Sequence, residues 1–433
     1  ALVVANSGGG EGGWAAGYAA FWETRVGVSF GEFGFSRSLR HWVNDGLMTL
    51  FFFVVALELK RELVLGELRQ VRRAALSLAG AVGGMLVPAG LFLALMRGRE
   101  GVGGWGTVTA TDTAFALGCL AVLGPRVPPG LRLFILSLAI FDDVGAVLVV
   151  AFGYGQALNW AALAAAIAGV VALAGVGRLG IRSIPAYFML GAGIWLCFDA
   201  SGVHPTVAGV ALGLLAPTGR WVANDRMRAI FGLVLAHPPG EHAGGDSAER
   251  RELQRAGRAA RESISPVERL EMVLHPWVGF AILPVFALAN AGVAFSSAAL
   301  GEPLFGAVVA SFVLGKPLGV LGVSWIAVRL GVATRPPGLT WPLIAGGAFL
   351  TGIGFTMALF IAGLALGPAP FDVARMGILL ASVVSALAGI ATLFWLTSGA
   401  RGDRSDGPAT TRAAPPSHGR GGRAARPARP SGP

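Results

Sequence analysis

Charge is what this sequence has least of. Asp, Glu, Lys and Arg make up 13% of its 433 residues, against roughly 25% in soluble domains. That is too little to clothe a water-facing surface of this size, so a soluble globular enzyme is excluded. Cysteine is nearly missing too. Cys119 and Cys197 both lie in apolar runs and read as small buried fillers, which leaves no disulfide framework and no thiolate metal cluster. Lysine is the scarcest charged type: of 34 basic residues, only Lys60 and Lys316 are lysines. No Walker A loop exists, because Gly315-Lys316 runs into Pro317 inside an apolar segment. No Gly-x-Gly-Asp motif exists either, which argues against an intramembrane aspartyl protease.

What remains is apolar. Hydrophobic residues supply 54% of the chain and glycine 65 positions, as in a helical membrane protein. Segments of membrane character run from near Asp45 to Leu57, then over Ala74–Met96, Trp105–Leu123, Leu131–Ala151, Trp160–Val176, Ser183–Phe198 and Ser201–Pro217. A second set covers Val273–Phe295, Leu304–Val328, Leu339–Leu366 and Gly377–Leu396. With a truncated helix at Ala1–Ala5, the expectation is an all-α polytopic protein of about twelve spans in residues 1–398. Several segments fall short of the ~20 residues of a straight span, so some should be tilted, broken or partly inserted.

The basic residues set an expected orientation. The gaps after even-numbered spans, with the tail, hold 27 of them, the odd gaps hold six, Arg375 among them, and Lys316 alone lies within a span. Both termini should therefore be cytoplasmic. The formal charge of +10 then encodes topology, and no nucleic-acid partner is expected. Residues 25–38, with alternating Val26, Val28 and Phe30, suggest an extracytoplasmic β-hairpin. Residues 237–264 read as a polar cytoplasmic loop. Residues 399–433, rich in Arg, Pro and Gly, read as a disordered cytoplasmic tail.

An ionisable residue inside a span is costly and is a functional hypothesis by default. Asp142 and Asp143 are twelfth and thirteenth in the 21-residue run Leu131–Ala151. Lys316 is thirteenth of 25 in Leu304–Val328, and Asp112 eighth of 19 in Trp105–Leu123. One Asp–Lys pair could serve only to orient helices, but three carboxylates and one amine do not neutralise each other. The surplus negative charge calls for protons or a cation. A sequence that writes Arg almost everywhere uses Lys here, the base that can release its proton. Thr109-Ala110-Thr111-Asp112-Thr113 and Thr351-Gly352-Ile353-Gly354-Phe355-Thr356 interrupt two spans with polar or glycine residues. Paired broken helices of this kind point to a transporter site. Oxygen ligands of this type suit a small hard cation such as Na⁺ or Li⁺. Competition of that ion with H⁺ for one carboxylate site would give exchange, whereas a passive channel would need no titratable lysine.

These runs resemble the NhaA family of bacterial Na⁺/H⁺ antiporters. The resemblance is carried by Asn44-Asp45-Gly46-Leu47-Met48, Ala110-Thr111-Asp112-Thr113-Ala114-Phe115, Phe141-Asp142-Asp143-Val144-Gly145, Ser201-Gly202-Val203-His204-Pro205-Thr206 and Leu274-His275-Pro276-Trp277. Ala289-Asn290-Ala291-Gly292, Gly315-Lys316-Pro317-Leu318-Gly319 and Gly352-Ile353-Gly354-Phe355-Thr356-Met357 add to it. It implies an inverted-repeat core whose two discontinuous helices cross at the midplane. It also implies electrogenic, pH-regulated exchange of two H⁺ for one Na⁺ or Li⁺ across the inner membrane, with no cofactor. In that reading Asp143 is the main cation carboxylate, and Asp142 is the second, linked to Lys316. Asp112 and Thr111 lie at the crossing, with Gly352, Gly354 and Thr356 supplying the broken backbone. Asp45, Glu58, His204, Glu271 and His275 match positions tied to cation access or pH response, and the 25–38 hairpin implies a homodimer.

Overall fold

The computed structural model describes residues 1, 6, 14–30, 33–64, 66, 71–155, 157–178, 184–218, 265–292 and 296–402. The loop expected at 237–264, the tail beyond residue 402 and most of the Ala1–Ala5 helix lie outside these residues.

Helix dominates. α1 (Trp14–Glu23) leads into the hairpin of β1 (Arg25–Phe30) and β2 (Phe33–Ser38), an antiparallel pair in which Arg25 faces Ser38 and Phe30 faces Phe33. The expected hairpin is therefore present. A helical turn (Leu39–His41) and a π-helical turn (Trp42–Leu47) run into α2 (Met48–Val64). α3 (Val71–Leu95), a 3₁₀ helix (Val102–Val108), α4 (Thr113–Leu123), α5 (Pro129–Gly153), α6 (Trp160–Arg178), α7 (Ile184–Ser201) and α8 (Thr206–Leu215) follow. The second part holds α9 (Pro266–Trp277), a π turn (Val278–Ile282) and α10 (Leu283–Asn290). α11 (Pro303–Ala310), a π turn (Ser311–Gly315) and α12 (Lys316–Arg329) come next, then α13 (Trp341–Thr351), α14 (Phe355–Ala365) and α15 (Pro368–Gly402).

Proline opens many of these helices, where its missing N–H costs nothing and its φ is already helical. It stands at the first turn of α5, α9, α11, α12, α13 and α15. α9 adds a capping box in which Ser265 and Glu268 satisfy each other's backbone N–H.

Among the described residues, seven helices are long and apolar enough to cross a membrane, or eight if the bent pair α13–α14 is one span. α8, with ten residues, is too short to cross alone at about 1.5 Å per residue. Four sequence expectations change here. α15 starts at Pro368, so Arg375 lies inside a helix and not in a loop. It is buried, donating to the carbonyls of Asn290 and Gly292 and pairing with Asp372. The carbonyls at the end of α10 carry partial negative charge, which is what makes a buried guanidinium tolerable there. α15 also continues through Gly402, past the expected start of the tail at 399. The segment expected at Ser201–Pro217 is helical only from Thr206, because Gly202 takes a left-handed φ of 84° and Pro205 follows. The two cysteines are free and half-buried, not fully buried.

One contact sets the position of Lys316. α3 lies against α12 through facing glycines: a Cβ on Gly83 would strike the Gly319 carbonyl, and one on Gly319 the Gly83 carbonyl. With little hydrophobic gain available between helices in lipid, such close backbone approach supplies the packing. It seats the start of α12 in the interior, where Lys316 is fully buried.

Candidate functional site

Two helix breaks meet. In the first, the 3₁₀ helix ends at Val108, residues 110–112 have no regular structure, with Asp112 extended, and α4 begins at Thr113. Thr109 Oγ1 donates to the Gly106 carbonyl at 2.7 Å, the local side-chain bond by which threonine competes with regular helix. In the second, α13 stops at Thr351 and α14 resumes at Phe355, with a bend of 48°. The turn between them is tightly enclosed. A Cβ on Gly352 would sit 2.5 Å from Ser385 Oγ and 2.7 Å from the Phe312 carbonyl, and one on Gly354 2.5 Å from the Phe312 ring. Glycine is needed there for space.

The two breaks bond to each other directly. Asp112 N–H donates to the Ile353 carbonyl at 2.6 Å, and Thr111 Oγ1 to the Thr351 carbonyl at 2.9 Å. Asp112 caps two helices at once. Its Oδ1 accepts from Phe115 N–H of α4 at 3.3 Å, and its Oδ2 from Thr356 N–H of α14 at 3.0 Å and from the Thr356 hydroxyl. Two helix N-termini with their positive dipole ends thus face one buried carboxylate. Lys316 answers the opposite end of the first break. Its Nζ donates to the Thr109 carbonyl at 2.8 Å, to Thr111 Oγ1 at 2.5 Å and to Asp142 Oδ2 at 2.9 Å, using all three ammonium protons.

Beside this crossing, α5 presents Asp142 and Asp143, 1% and 5% exposed. Thr113 Oγ1 donates to Asp143 Oδ2 at 3.1 Å. The other oxygen of each carboxylate, Asp142 Oδ1 and Asp143 Oδ1, is buried and has no hydrogen-bonding partner among the described residues. A buried acceptor left without a donor costs about 1–3 kcal/mol, more if charged. Two such oxygens on neighbouring residues have the chemistry to take a proton or a small cation. Tyr154, just past α5, locks the arrangement: its hydroxyl donates to the Gly103 carbonyl and accepts from Gly106 N–H. Burial pushes that phenol up to about 12, so it stays protonated.

The structure thus brings Asp112, Thr111, Asp142, Asp143, Lys316 and Thr356 together, with Gly352 and Gly354 in the turn below. The other five sequence candidates sit elsewhere, in two groups near opposite ends of α2. Asp45 and Glu58 are 13 residues apart, about 20 Å along a helix. Glu58 pairs with His275 at 2.9 Å, and Arg61 joins Glu62 to Glu271 across α2 and α9. Asp45 lies 2.9 Å from His41 and 3.8 Å from His204. Sequence reading missed Thr113, Tyr154, Glu62 and His41. Thr113 sits beside Asp112 in the quoted motif and Glu62 one helical turn after Glu58, so proximity was a usable signal for those two. Tyr154 and His41 carried none.

Comparison with known proteins places this geometry in a context. The family model described as Na⁺/H⁺ antiporter 1 matches residues 1–393. The chain is 57% identical over 398 residues to the Na(+)/H(+) antiporter NhaA of Rhizobium meliloti (strain 1021), covering 92% of this chain and 90% of that one. It is 56% identical over 407 residues to Na(+)/H(+) antiporter NhaA 2 of Acidiphilium cryptum (strain JF-5), covering 94% and 88%. It is 51% identical over 376 residues to Na(+)/H(+) antiporter NhaA 2 of Vibrio vulnificus (strain CMCP6), covering 87% and 84%.

Proposed function

The chain belongs to the Na⁺/H⁺ antiporter family, and from that premise we propose that it exchanges Na⁺ or Li⁺ for H⁺ at Asp142 and Asp143. The observation that carries this reading is the pair of unpartnered buried oxygens, Asp142 Oδ1 and Asp143 Oδ1. Each can take either a proton or a share of a small hard cation, but not both. Loading the cation expels protons, and loading protons expels the cation. If access to this one site alternates between the two sides, exchange is obligatory.

The surrounding charges each have a part. Asp112 neutralises the N-termini of α4 and α14, so the broken backbone does not repel an arriving cation. Lys316 neutralises Asp142 and the Thr109 carbonyl when the site holds no ion. A cation at Asp142 displaces that ammonium from its partner, and a buried lysine without a partner gives up its proton readily. Two protons exchanged for one Na⁺ would move one net charge per cycle. The membrane potential would then contribute about 2.3 kcal/mol per 100 mV.

The finer reading extends outward. The protein sits in a bacterial inner membrane as an inverted-repeat bundle of about twelve spans with both termini in the cytoplasm. No cofactor takes part. Asp45, Glu58, His204, Glu271 and His275 serve cation access and the response to pH, and the 25–38 hairpin pairs two protomers. Support for the last is a rigid mount: Trp42 Nε1 donates to the Val26 carbonyl at 2.9 Å. The test of the central reading is a preformed pH gradient in everted vesicles. Na⁺ or Li⁺ should collapse it and K⁺ should not. No response to Na⁺ in correctly inserted protein would refute exchange.

A further inference from the structure

We propose that His41, Asp45 and Asp199 form a binding site for a zinc-type divalent ion. The site is separate from the aspartate pair. Its residues come from the helical turn before α2, the π turn and the end of α7. One ligand atom each from His41, Asp45 and Asp199 lies within 4.8 Å of the other two. Ligands held at about 2.0–2.2 Å by a tetrahedral zinc lie about 3.3 Å from one another. The observed 2.9 Å from His41 Nε2 to Asp45 Oδ2 is close to that value.

The His41 contact is the telling one. Its Nε2 is buried and close to a carboxylate oxygen, yet it makes no aligned hydrogen bond with any described residue. Close ligand atoms that converge without pointing at one another are arranged around a common centre. His204 stands behind Asp45, its Nδ1 held by Thr206 Oγ1 at 2.8 Å and its Nε2 3.8 Å from Asp45 Oδ1, the kind of outer partner that orients a metal ligand. Arg37 Nη2 pairs with Asp199 Oδ2 at 3.3 Å, so it competes for that carboxylate and leaves its second oxygen to ligate.

The donor set selects the ion. Two carboxylates and one neutral imidazole present two negative charges, one of which Arg37 already faces, and a divalent cation competes for them better than a monovalent one. Mixed nitrogen and oxygen donors favour zinc, cobalt or nickel over calcium, which takes six to eight oxygens. Bound there, the ion would join the turn ahead of α2 to the end of α7.

The experiment uses the full chain, purified in detergent and stripped with chelator. Equilibrium dialysis against Zn²⁺ should find one ion per chain at micromolar affinity or better. His41→Gln and Asp199→Asn should each weaken it at least tenfold. Arg37→Gln, which removes the competing cation, should tighten it. Zn²⁺ should also raise the melting midpoint of the wild type and leave that of His41→Gln unmoved. A wild type that binds no stoichiometric zinc, or an affinity unchanged in both ligand variants, overturns the proposal. Sodium-driven exchange by the zinc-free variants shows that they fold. A wild type without exchange would count against the transport reading alone, since zinc binding is measured independently of it.

Discussion

At the scale of the residue, Lys316 and Asp143 allow a structural role and the proposed transport role to be tested apart. Lys316 is 0% exposed and holds three oxygens. Removing one member of a buried ion pair leaves the other charge uncompensated and costs about 3–5 kcal/mol. Lys316→Met should therefore lower the thermal melting midpoint in detergent far more than Lys316→Arg, which keeps the charge. Equal melting of the two variants would mean that the pair with Asp142 contributes nothing. Asp143 differs, because one of its oxygens has no partner to lose. Asp143→Asn should abolish sodium-driven collapse of the pH gradient while melting within a few degrees of wild type. Asp403→Asn, in the tail, should exchange normally. The types and depth of these residues were legible in the sequence, since a charge stands out against an apolar run. Their partners were not. The Thr109 carbonyl reaches Lys316 across 207 positions of chain, and a backbone oxygen has no letter in a sequence.

At the scale of the element, the two broken helices are what bring the candidate site together. The breaks were readable because threonine and glycine interrupt apolar runs, and both chemistries act locally. That they cross was not readable, since crossing depends on how α3, α5, α12 and α15 pack around them. Glycine spacing now makes a sharp prediction. Gly352→Ala would drive a Cβ into Ser385 Oγ and the Phe312 carbonyl, and overpacking of this kind costs about 1–3 kcal/mol. It should lower both the melting midpoint and the exchange rate. Gly118→Ala, on α4 of the neighbouring break, meets nothing within 4 Å and should leave both unchanged. If both variants behave as wild type, the turn at Gly352 is not as enclosed as the structure has it. Arg375 is the converse lesson. Counting it as a loop residue followed from its charge, yet α15 carries it into the interior because the end of α10 presents carbonyls to receive it.

At the scale of the whole molecule, three carboxylates against one ammonium leave a site that must be filled to be neutral. If two protons replace one Na⁺, transport carries current. Na⁺ added to proteoliposomes should then shift a potential-sensitive dye, and clamping the potential should speed exchange. A dye that stays silent while the pH gradient collapses would mean one-for-one exchange. Deleting residues 25–38 should convert dimers to monomers on cross-linking while exchange persists, and dimers that survive would place the interface elsewhere. The chain's own composition determined that it lives in a membrane, roughly where it crosses, and which four charged residues sit deep within it. Those properties follow from the cost of removing polar groups from water, which each residue carries with it. Only the tertiary structure decided which oxygens are left unpartnered, that one aspartate caps two helices, and that His41 and Asp199 meet at Asp45. Those are relations between distant segments, and they exist only once packing has brought the segments within hydrogen-bonding distance.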